Sequence, residues 1–143
     1  ETRSVIIAEP SVRDALQRAR NVKLAVVGIG AVQDKNSAVL RAGMLQRSDL
    51  ATLRAQGAVG EIMGRFYRVD GSTTGLDIND HVIGLDLTDL RRVPISLAVA
   101  RGPAKIEAVH GALRGRLVTV LATDDSTARG VLETTRRYEG EVA

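Results

Sequence analysis

The chain has 143 residues, 44% of them hydrophobic and 26% charged, which suits one globular domain, and no apolar run reaches the roughly 18–20 residues of a membrane helix. It contains no cysteine, which excludes disulfides and thiolate chemistry and favours a cytoplasmic setting. The net charge of +3 comes from 20 basic and 17 acidic residues interleaved along the whole length, and one Phe, two Tyr and no Trp leave little for base stacking, so we do not expect this chain itself to read DNA.

The first third of the chain predicts one helix, one strand and an irregular segment. Glu9-Pro10-Ser11 opens a helical pattern that runs through Arg20. LAVVGIG, residues 24–30, predicts a strand ending in a glycine turn, and its continuous apolar run is typical of a strand buried on both faces in a parallel sheet. Residues 31–47 predict a loop or a frayed turn. The N-terminus has no secretory pattern and no start methionine, which favours a piece cut from a longer chain.

Short elements separated by glycines fill the middle of the chain. Ser48 is predicted to cap a helix, DLATLRAQ, that ends at Gly57. GAVGEIMGRFYRVDG then predicts a glycine turn, a strand over Ile62–Arg68 and a tight turn at Asp70-Gly71. After it, HVIGLDL predicts a short strand and LTDLRR one helical turn.

Strand and helix alternate most regularly in the last third. PISLAVA predicts a strand, PAKIEAVHGALRG a helix, RLVTVLA a strand, and DDSTARGVLETTRR a helix with Asp124 as its cap. The short links between them imply right-handed crossovers and a parallel sheet. We therefore predict one α/β domain with a Rossmann-like, mostly parallel sheet and flanking helices.

The carboxyl ends of the predicted parallel strands are where a ligand site is expected, because loops and helix N-termini meet there. Four segments should converge at that edge of the sheet: Gly28-Ile29-Gly30, Gly57–Glu61, Arg101–Lys105 and Thr123-Asp124-Asp125.

Lys105 stands where a helix tolerates a cation least. It falls in the first turn of the helix that Pro103 opens, beside unpaired backbone N–H groups and the positive end of the helix dipole. An anion bound there, with a phosphate as the natural candidate, would pair with the ammonium group, and Gly102 would let the backbone approach it closely. The alternative is a lysine extended into solvent, at a cost of about 0.3–1 kcal/mol.

The glycine pair after the first strand and the acidic residue after the second glycine turn are weaker candidates. Gly28-Ile29-Gly30 resembles the start of a dinucleotide fingerprint, but the third glycine is missing, and such a pair is more often only a tight turn. Glu61 follows Gly-Ala-Val-Gly, so its carboxylate could accept hydrogen bonds from sugar hydroxyls, or it could be an ordinary surface carboxylate.

The remaining titratable residues predict no catalytic centre. Asp124 and Asp125 are interpreted as a helix cap and a residue favoured by the helix dipole rather than as a metal pair. His81 and His110 are not spaced as zinc ligands, and neither accompanies a nucleophile motif. No metal, no cofactor and no covalent catalysis are expected.

Four separated blocks of the sequence carry a family resemblance that covers nearly all of residues 10–134: LAVVGIG, LRAQGAVGEIMGRFYRVDG, INDHVIGLDLTDLRRVPISLAVARGPAKIEAVHGALRG and VTVLATDDSTARGVLE. In order and spacing they resemble the effector-binding domain of SorC/DeoR-type bacterial sugar-responsive transcriptional regulators. The resemblance implies an α/β fold related to sugar-phosphate isomerases and CoA transferases. It also implies a phosphorylated sugar as effector, operator DNA bound by a separate N-terminal helix-turn-helix domain, and assembly as dimers or tetramers.

The resemblance assigns roles to particular residues. Lys105, in the Gly-Pro-Ala-Lys turn, would hold a phosphate or a ligand oxygen, and Glu61 would accept hydrogen bonds from sugar hydroxyls. The pocket floor would be formed by Gly28, Ile29 and Gly30, with Ala58 and Val59 nearby.

The sequence departs from the family pattern at several places. The helix-turn-helix domain and an upstream half-domain with a glycine-threonine phosphate loop are not among these 143 residues, so the chain would be a partial effector-binding domain. The turn before the lysine is Arg101-Gly102-Pro103 where Gly-Gly is usual, and His81 stands where arginine is frequent. Two alternatives stay open: an isomerase-like enzyme with Glu61 as its general base, and a truncated dimerisation domain without a competent pocket.

Overall fold

The computed structural model describes residues 2–33 and 37–140. These residues form seven α-helices: α1 Thr2–Ala8, α2 Pro10–Arg20, α3 Ala38–Arg41, α4 Arg47–Ala55, α5 Leu87–Arg92, α6 Ile106–Arg114 and α7 Asp125–Gly140. They also form six strands: β1 Leu24–Gly28, β2 Gly30–Ala31, β3 Ala58–Ile62, β4 Arg65–Arg68, β5 Ile95–Val99 and β6 Val120–Ala122. Two short 3₁₀-helices, Asp77–His81 and Pro103–Lys105, complete the described secondary structure.

The strands form two separate three-stranded sheets. In the first sheet, of order β1-β5-β6, both strand pairs are parallel, and α6 and α7 cover one of its faces. In the second sheet, of order β2-β3-β4, both pairs are antiparallel, and α4 packs against it. The predicted α/β class with a parallel sheet and flanking helices is confirmed, with an antiparallel sheet in addition.

The segment LAVVGIG is divided between the two sheets. Strand β1 ends at Gly28, the buried residue Ile29 follows, and β2 begins at Gly30 in the other sheet. The prediction that this segment is buried on both faces is wrong for the described residues, because Leu24 and Val26 are exposed on the face of β1 opposite to α6.

The predicted strand over Ile62–Arg68 is instead a hairpin. Strand β3 ends at Ile62, and Met63 and Gly64 turn the chain with φ angles of 55° and 76° before β4 begins at Arg65. The tight turn at Asp70-Gly71 is confirmed, since the Gly71 N–H donates to the Arg68 carbonyl at 2.8 Å and Gly71 has a φ of 76°.

The predicted strand HVIGLDL is also wrong. His81 ends a 3₁₀-helix, and residues 82–86 follow without regular structure. The carbonyl groups of this segment bind the buried guanidinium of Arg65 instead of a neighbouring strand. The guanidinium donates to the carbonyl oxygens of Leu85 at 3.2 Å and Gly84 at 3.1 Å, and it pairs with the Asp86 carboxylate at 2.8 Å.

Hydrogen bonds from side chains near the helix ends determine where the helix α4 begins. Helix α4 begins at Arg47 rather than after Ser48, because the Asp49 carboxylate accepts the Gln46 N–H at 2.7 Å. Residues 31–47, predicted as a loop or frayed turn, include strand residue Ala31 and helix α3, while residues 34–36 lie outside the described part. No helix of the described residues is both long enough and apolar enough to cross a membrane.

The last two helices start much as the sequence predicts. Pro103 opens a 3₁₀ turn, and the α-helical part begins at Ile106, so Lys105 directly precedes α6 instead of lying in its first turn. Asp124 caps α7 as predicted, since its Oδ1 accepts the Thr127 N–H at 2.8 Å.

Candidate functional site

A cavity of about 510 Å³ lies where the carboxyl end of β1 meets the antiparallel sheet, α3 and the turn before α6. Five of the residues predicted for the site line it: Gly28, Ile29, Gly30, Glu61 and Lys105. The other lining residues are small or apolar: Ala38, Val39, Ala42, Met44, Met63 and Gly64. We call this space the Lys105–Glu61 cavity.

Lys105 is half-buried at the end of the 3₁₀ turn that precedes α6. Its backbone N–H donates to the Gly102 carbonyl at 3.0 Å, which closes the turn and fixes where the side chain leaves the backbone. The turn therefore places an ammonium group beside the cavity at the N-terminal end of a nine-residue helix, a position that favours an anion.

Glu61 reaches the same cavity from the antiparallel sheet. It is paired with Gly30 in the β2–β3 register, and a Cβ atom on Gly30 would collide with the Oε1, Cδ and Cγ atoms of Glu61. The other carboxylate oxygen accepts the Gly64 N–H at 2.9 Å. Glycine at position 30 thus makes room for the carboxylate, and the β3–β4 turn holds it in place.

Tyr67 is buried in β4, the strand that pairs with the Glu61-bearing strand β3, and the sequence analysis missed it. It is fully buried, and its hydroxyl donates to the Ala108 carbonyl at 2.8 Å, which joins β4 to α6. Burial, and secondarily the negative charge of Glu61, raises the pKa of Tyr67 far above its usual range, so the hydroxyl remains a donor. Gly60 permits this packing, since a Cβ there would collide with the Tyr67 hydroxyl.

Three residues predicted for the site do not line the cavity. Ala58 and Val59 are buried in β3, where they belong to two different hydrophobic clusters of the core. Gly102 adopts a φ of 101°, and its N–H donates to Thr127 Oγ1 at 2.7 Å and to Asp124 Oδ2 at 3.2 Å. This N–H is thus engaged by the start of α7, and the glycine is required by the backbone conformation.

The acidic pair at the start of α7 is structural, as predicted. Hydrogen bonds from the Ser126 hydroxyl and the Thr127 N–H lower the pKa of Asp124 to about 2. Asp125 pairs with Arg129 at 2.9 Å within the same helix. The fourth predicted segment therefore packs behind Gly102 instead of reaching the cavity.

A second cavity of about 310 Å³ adjoins the first and shares Val39, Met44 and Gly64 with it. Its outer wall is the segment that carries His81, and its lining is otherwise apolar, with Leu45, Phe66, Ile78, Val82 and Ile83. Sequence reasoning missed this wall because HVIGLDL was interpreted as a strand.

His110 belongs to neither of these cavities. It is buried on α6, its ring stacks on Tyr138 with centroids 5.0 Å apart, and its Nδ1 lies 3.1 Å from Thr135 Oγ1. Burial is the main reason why the pKa of His110 lies below its ordinary value, and the nearby Arg114 charge adds to it. Its contacts are those of a packing residue between α6 and α7.

The comparisons with known proteins agree with this architecture. Residues 1–133 match the model of the family described as "Putative sugar-binding domain". The chain is 37% identical over 134 residues to the transcriptional regulator LsrR of Klebsiella pneumoniae subsp. pneumoniae, an alignment that covers 92% of this chain and 42% of LsrR.

Two solved structures show the same fold. The DeoR family transcriptional regulator from Listeria monocytogenes superposes with a TM-score of 0.85 at 30% identity, over 91% of this chain and 52% of that one. The full-length sorbitol operon regulator SorC from Klebsiella pneumoniae superposes with a TM-score of 0.82 at 25% identity, over 90% of this chain and 41% of SorC. The chain thus spans about half, or less, of the length of these regulators.

A parallel α/β sheet with a cavity at the carboxyl end of its strands defines a ligand-binding domain. This chain belongs to the family of sugar-binding domains of SorC/DeoR-type transcriptional regulators, as the sequence resemblance predicted. The relatives named above are regulators of transcription.

Proposed function

We propose that this chain is part of the ligand-sensing domain of a transcriptional regulator and binds a phosphorylated sugar in the Lys105–Glu61 cavity. The observation that carries the proposal is the convergence, in one cavity, of an ammonium group, a carboxylate and a glycine-lined floor from three separate segments of the chain. Binding would change the affinity of the regulator for operator DNA through a helix-turn-helix domain elsewhere in the polypeptide.

The two charged groups suit the two ends of such a ligand. Lys105 would pair with the phosphate at the end of the cavity next to α6, where the helix dipole adds to the attraction. Glu61 would accept hydrogen bonds from sugar hydroxyls, because one of its oxygens is already oriented by the Gly64 N–H. The small lining residues leave space for a sugar between them.

We favour a sensor over an isomerase. Isomerisation requires a general base within about 2.6–3.2 Å of the abstracted proton and an acid that acts with it, and among the described lining residues Glu61 is the one carboxylate. The named relatives are regulators, which supports the same choice. We accordingly assign no catalytic residue.

The larger assembly is also part of the proposal. The regulators that the chain resembles are about twice its length or more, so we propose that it is a partial effector-binding domain within a cytoplasmic regulator. Assembly as a homodimer or homotetramer is the arrangement that the family resemblance suggests.

The test is a titration of the full-length regulator with a panel of pentose and hexose phosphates, followed by calorimetry and NMR. K105A and E61Q should each weaken binding about tenfold or more, a loss of about 1.4 kcal/mol. The matched controls K23A and E133Q remove exposed residues of the same types outside the cavity and should bind as the wild type does.

Operator affinity is measured in the same samples. A K105A protein that kept its full response to the effector would contradict the site assignment. Turnover of any sugar phosphate, detected as new NMR signals, would favour the isomerase. Flat titrations with every phosphosugar would favour a dimerisation domain without a competent pocket.

A further inference from the structure

The second cavity, of about 310 Å³, has a lining that suits a different part of a ligand from the Lys105–Glu61 cavity, and we call it the apolar cavity. It is lined by Val39, Met44, Leu45, Gly64, Phe66, Ile78, His81, Val82 and Ile83. These described residues include no carboxylate, lysine or arginine, and His81 is the one titratable residue among them. A phosphate or a ring bearing hydroxyl groups would therefore lose hydrogen bonds to water here without replacing them.

Gly64 joins the two cavities. Its N–H donates to the Glu61 carboxylate at 2.9 Å, and a Cβ atom built on it would lie 3.8 Å from Val82 Cγ1 in the wall of the apolar cavity. Met44 also lines both spaces, whereas Lys105 lines the first one. A sugar held by Glu61 would therefore lie next to the apolar cavity, with its phosphate directed to Lys105.

Hydrogen bonds to the backbone hold the outer wall of the apolar cavity in place. The Val82 carbonyl accepts hydrogen bonds from Arg3 Nε at 2.9 Å and from the buried Arg65 guanidinium at 3.3 Å. The Val82 N–H donates to the Asn79 carbonyl at 3.2 Å. The opposite wall is formed by Phe66, which is buried in the hydrophobic core. Because both walls are fixed, a ligand that enters this space has little of the protein to order.

The rim of the apolar cavity holds large hydrophobic side chains in contact with water. Met44 is 64% exposed and Ile83 is 40% exposed. Covering them with an apolar group is favourable, and the unbranched methionine side chain can adjust to the shape of that group.

Resting on the proposed function, in which Lys105 binds the phosphate and Glu61 the sugar hydroxyls, we propose that the effector is a sugar monophosphate with an apolar substituent and that the apolar cavity receives this substituent. An alkyl glycoside phosphate has this arrangement, with a phosphate at one end, hydroxyl groups in the middle and a hydrocarbon at the other end. A sugar bisphosphate does not fit, because its second phosphate would lie among aliphatic side chains with no described lysine or arginine beside it.

The experiment is a calorimetric titration of the full-length regulator with methyl, ethyl and propyl glucoside 6-phosphates in both anomeric forms. The affinity should rise about threefold with each added carbon and about tenfold from methyl to propyl. This is somewhat less than the roughly fourfold gain for a completely buried methylene, because the rim of the cavity is open. In a parallel titration, fructose 1,6-bisphosphate should bind no more tightly than fructose 6-phosphate.

I83S removes part of the wall and should reduce the gain from methyl to propyl to about twofold. I6S is the matched control, since Ile6 is 39% exposed on α1 and does not line the cavity, and it should keep the tenfold gain. K105A should weaken binding of the three glycoside phosphates by the same factor, because it acts at the phosphate. Melting temperatures show whether I83S and I6S remain folded.

Three results would overturn the proposal: an affinity that does not rise with alkyl length, an equal rise in I83S and the wild type, or binding of unsubstituted sugar phosphates but of no alkyl glycoside phosphate. Tighter binding of the bisphosphate would also overturn it and would assign the cavity to a second phosphate beside His81. In each of these cases the proposed function stands as long as sugar phosphates bind and K105A weakens them. If no sugar phosphate binds at all, the proposed function fails, and this inference fails with it.

Discussion

The absence of a side chain at Gly30 makes room for the carboxylate of Glu61. A Cβ atom on Gly30 would collide with the Glu61 carboxyl group, whereas one on Gly28, two residues earlier, would meet nothing within 4 Å. The two glycines line the same cavity but serve different ends: Gly30 makes room for the carboxylate, and Gly28 keeps the end of β1 open.

G30A should therefore impair ligand binding more than folding. The displaced group is the end of a flexible side chain, so we expect a loss of stability of about 1 kcal/mol, together with about tenfold weaker binding of the sugar phosphate as Glu61 leaves the Gly64 N–H. Urea denaturation and calorimetry measure the two effects. G28A is the control for stability, and an equal loss in both variants would contradict this account.

His110 makes the stability of the protein depend on pH. Its pKa in the folded state lies below the ordinary value near 6.5, so between these two values the unfolded chain binds more protons than the folded one. Stability should consequently fall as the pH is lowered from 7.5 to 5.5. The comparison of urea midpoints at these two pH values should show a smaller difference for H110Q than for the wild type.

The other histidine is the control for that measurement. His81 is exposed on the 3₁₀-helix, so H81Q should keep the wild-type difference between the two pH values. If H81Q and H110Q changed the difference equally, burial of His110 would not be its cause.

At the scale of elements, the segment after the first 3₁₀-helix shows what local sequence cannot reveal. HVIGLDL alternates like a strand, yet its carbonyl groups accept hydrogen bonds from the Arg65 guanidinium. Just before this segment, the Asn79 side chain pairs with both backbone groups of Phe66 in β4, at 2.8 and 2.9 Å. Both partners are distant in sequence. By contrast, the Asp124 cap was predictable because donor and acceptor are three residues apart.

R65M should release this segment. The substitution would leave several carbonyl groups and the half-exposed Asp86 carboxylate without their partner, at an expected cost of about 2–4 kcal/mol. R92M is the matched control, since the Arg92 side chain is 80% exposed and lies 3.8 Å from Asp89, and it should cost less than about 1 kcal/mol. Urea denaturation measures both losses of stability. Similar midpoints for the two variants would contradict a stabilising role of the Arg65 contacts.

At the scale of the whole molecule, the parallel unit was predictable and its partner sheet was not. The alternation of strands and helices in the last third predicts the crossovers. The rule that ligands bind at the carboxyl ends of parallel strands predicts that Gly28, Lys105 and Glu61 lie close together, and all three line the same cavity. The second sheet depends on where LAVVGIG breaks, and no periodicity marks Ile29 as that point. Met63 and Tyr67 escaped prediction because they belong to the β3–β4 hairpin of that sheet, and Met44 because it lies in the segment predicted as a loop.

The turn after β4 and the end of α6 meet closely at a pair of glycines. Gly71, in the turn after β4, lies against Gly115 at the end of α6, and a Cβ on Gly115 would also lie 3.2 Å from the Asp70 and Gly111 carbonyl oxygens. All of these are backbone atoms, so G115A should cost about 1–3 kcal/mol. G140A, which adds a methyl group in open space, should leave the free energy of unfolding unchanged. A G115A protein as stable as the wild type would contradict the close contact between α6 and the turn after β4.

The single residue Ile29 between β1 and β2 has a mechanical consequence. Lys105 follows strand β5 of the parallel sheet and Glu61 belongs to the antiparallel one, so the two charged residues that line the cavity are carried by different sheets. A ligand bound to both Lys105 and Glu61 would therefore link the two sheets. Binding would then oppose movement of one sheet relative to the other, without any need for a closing loop.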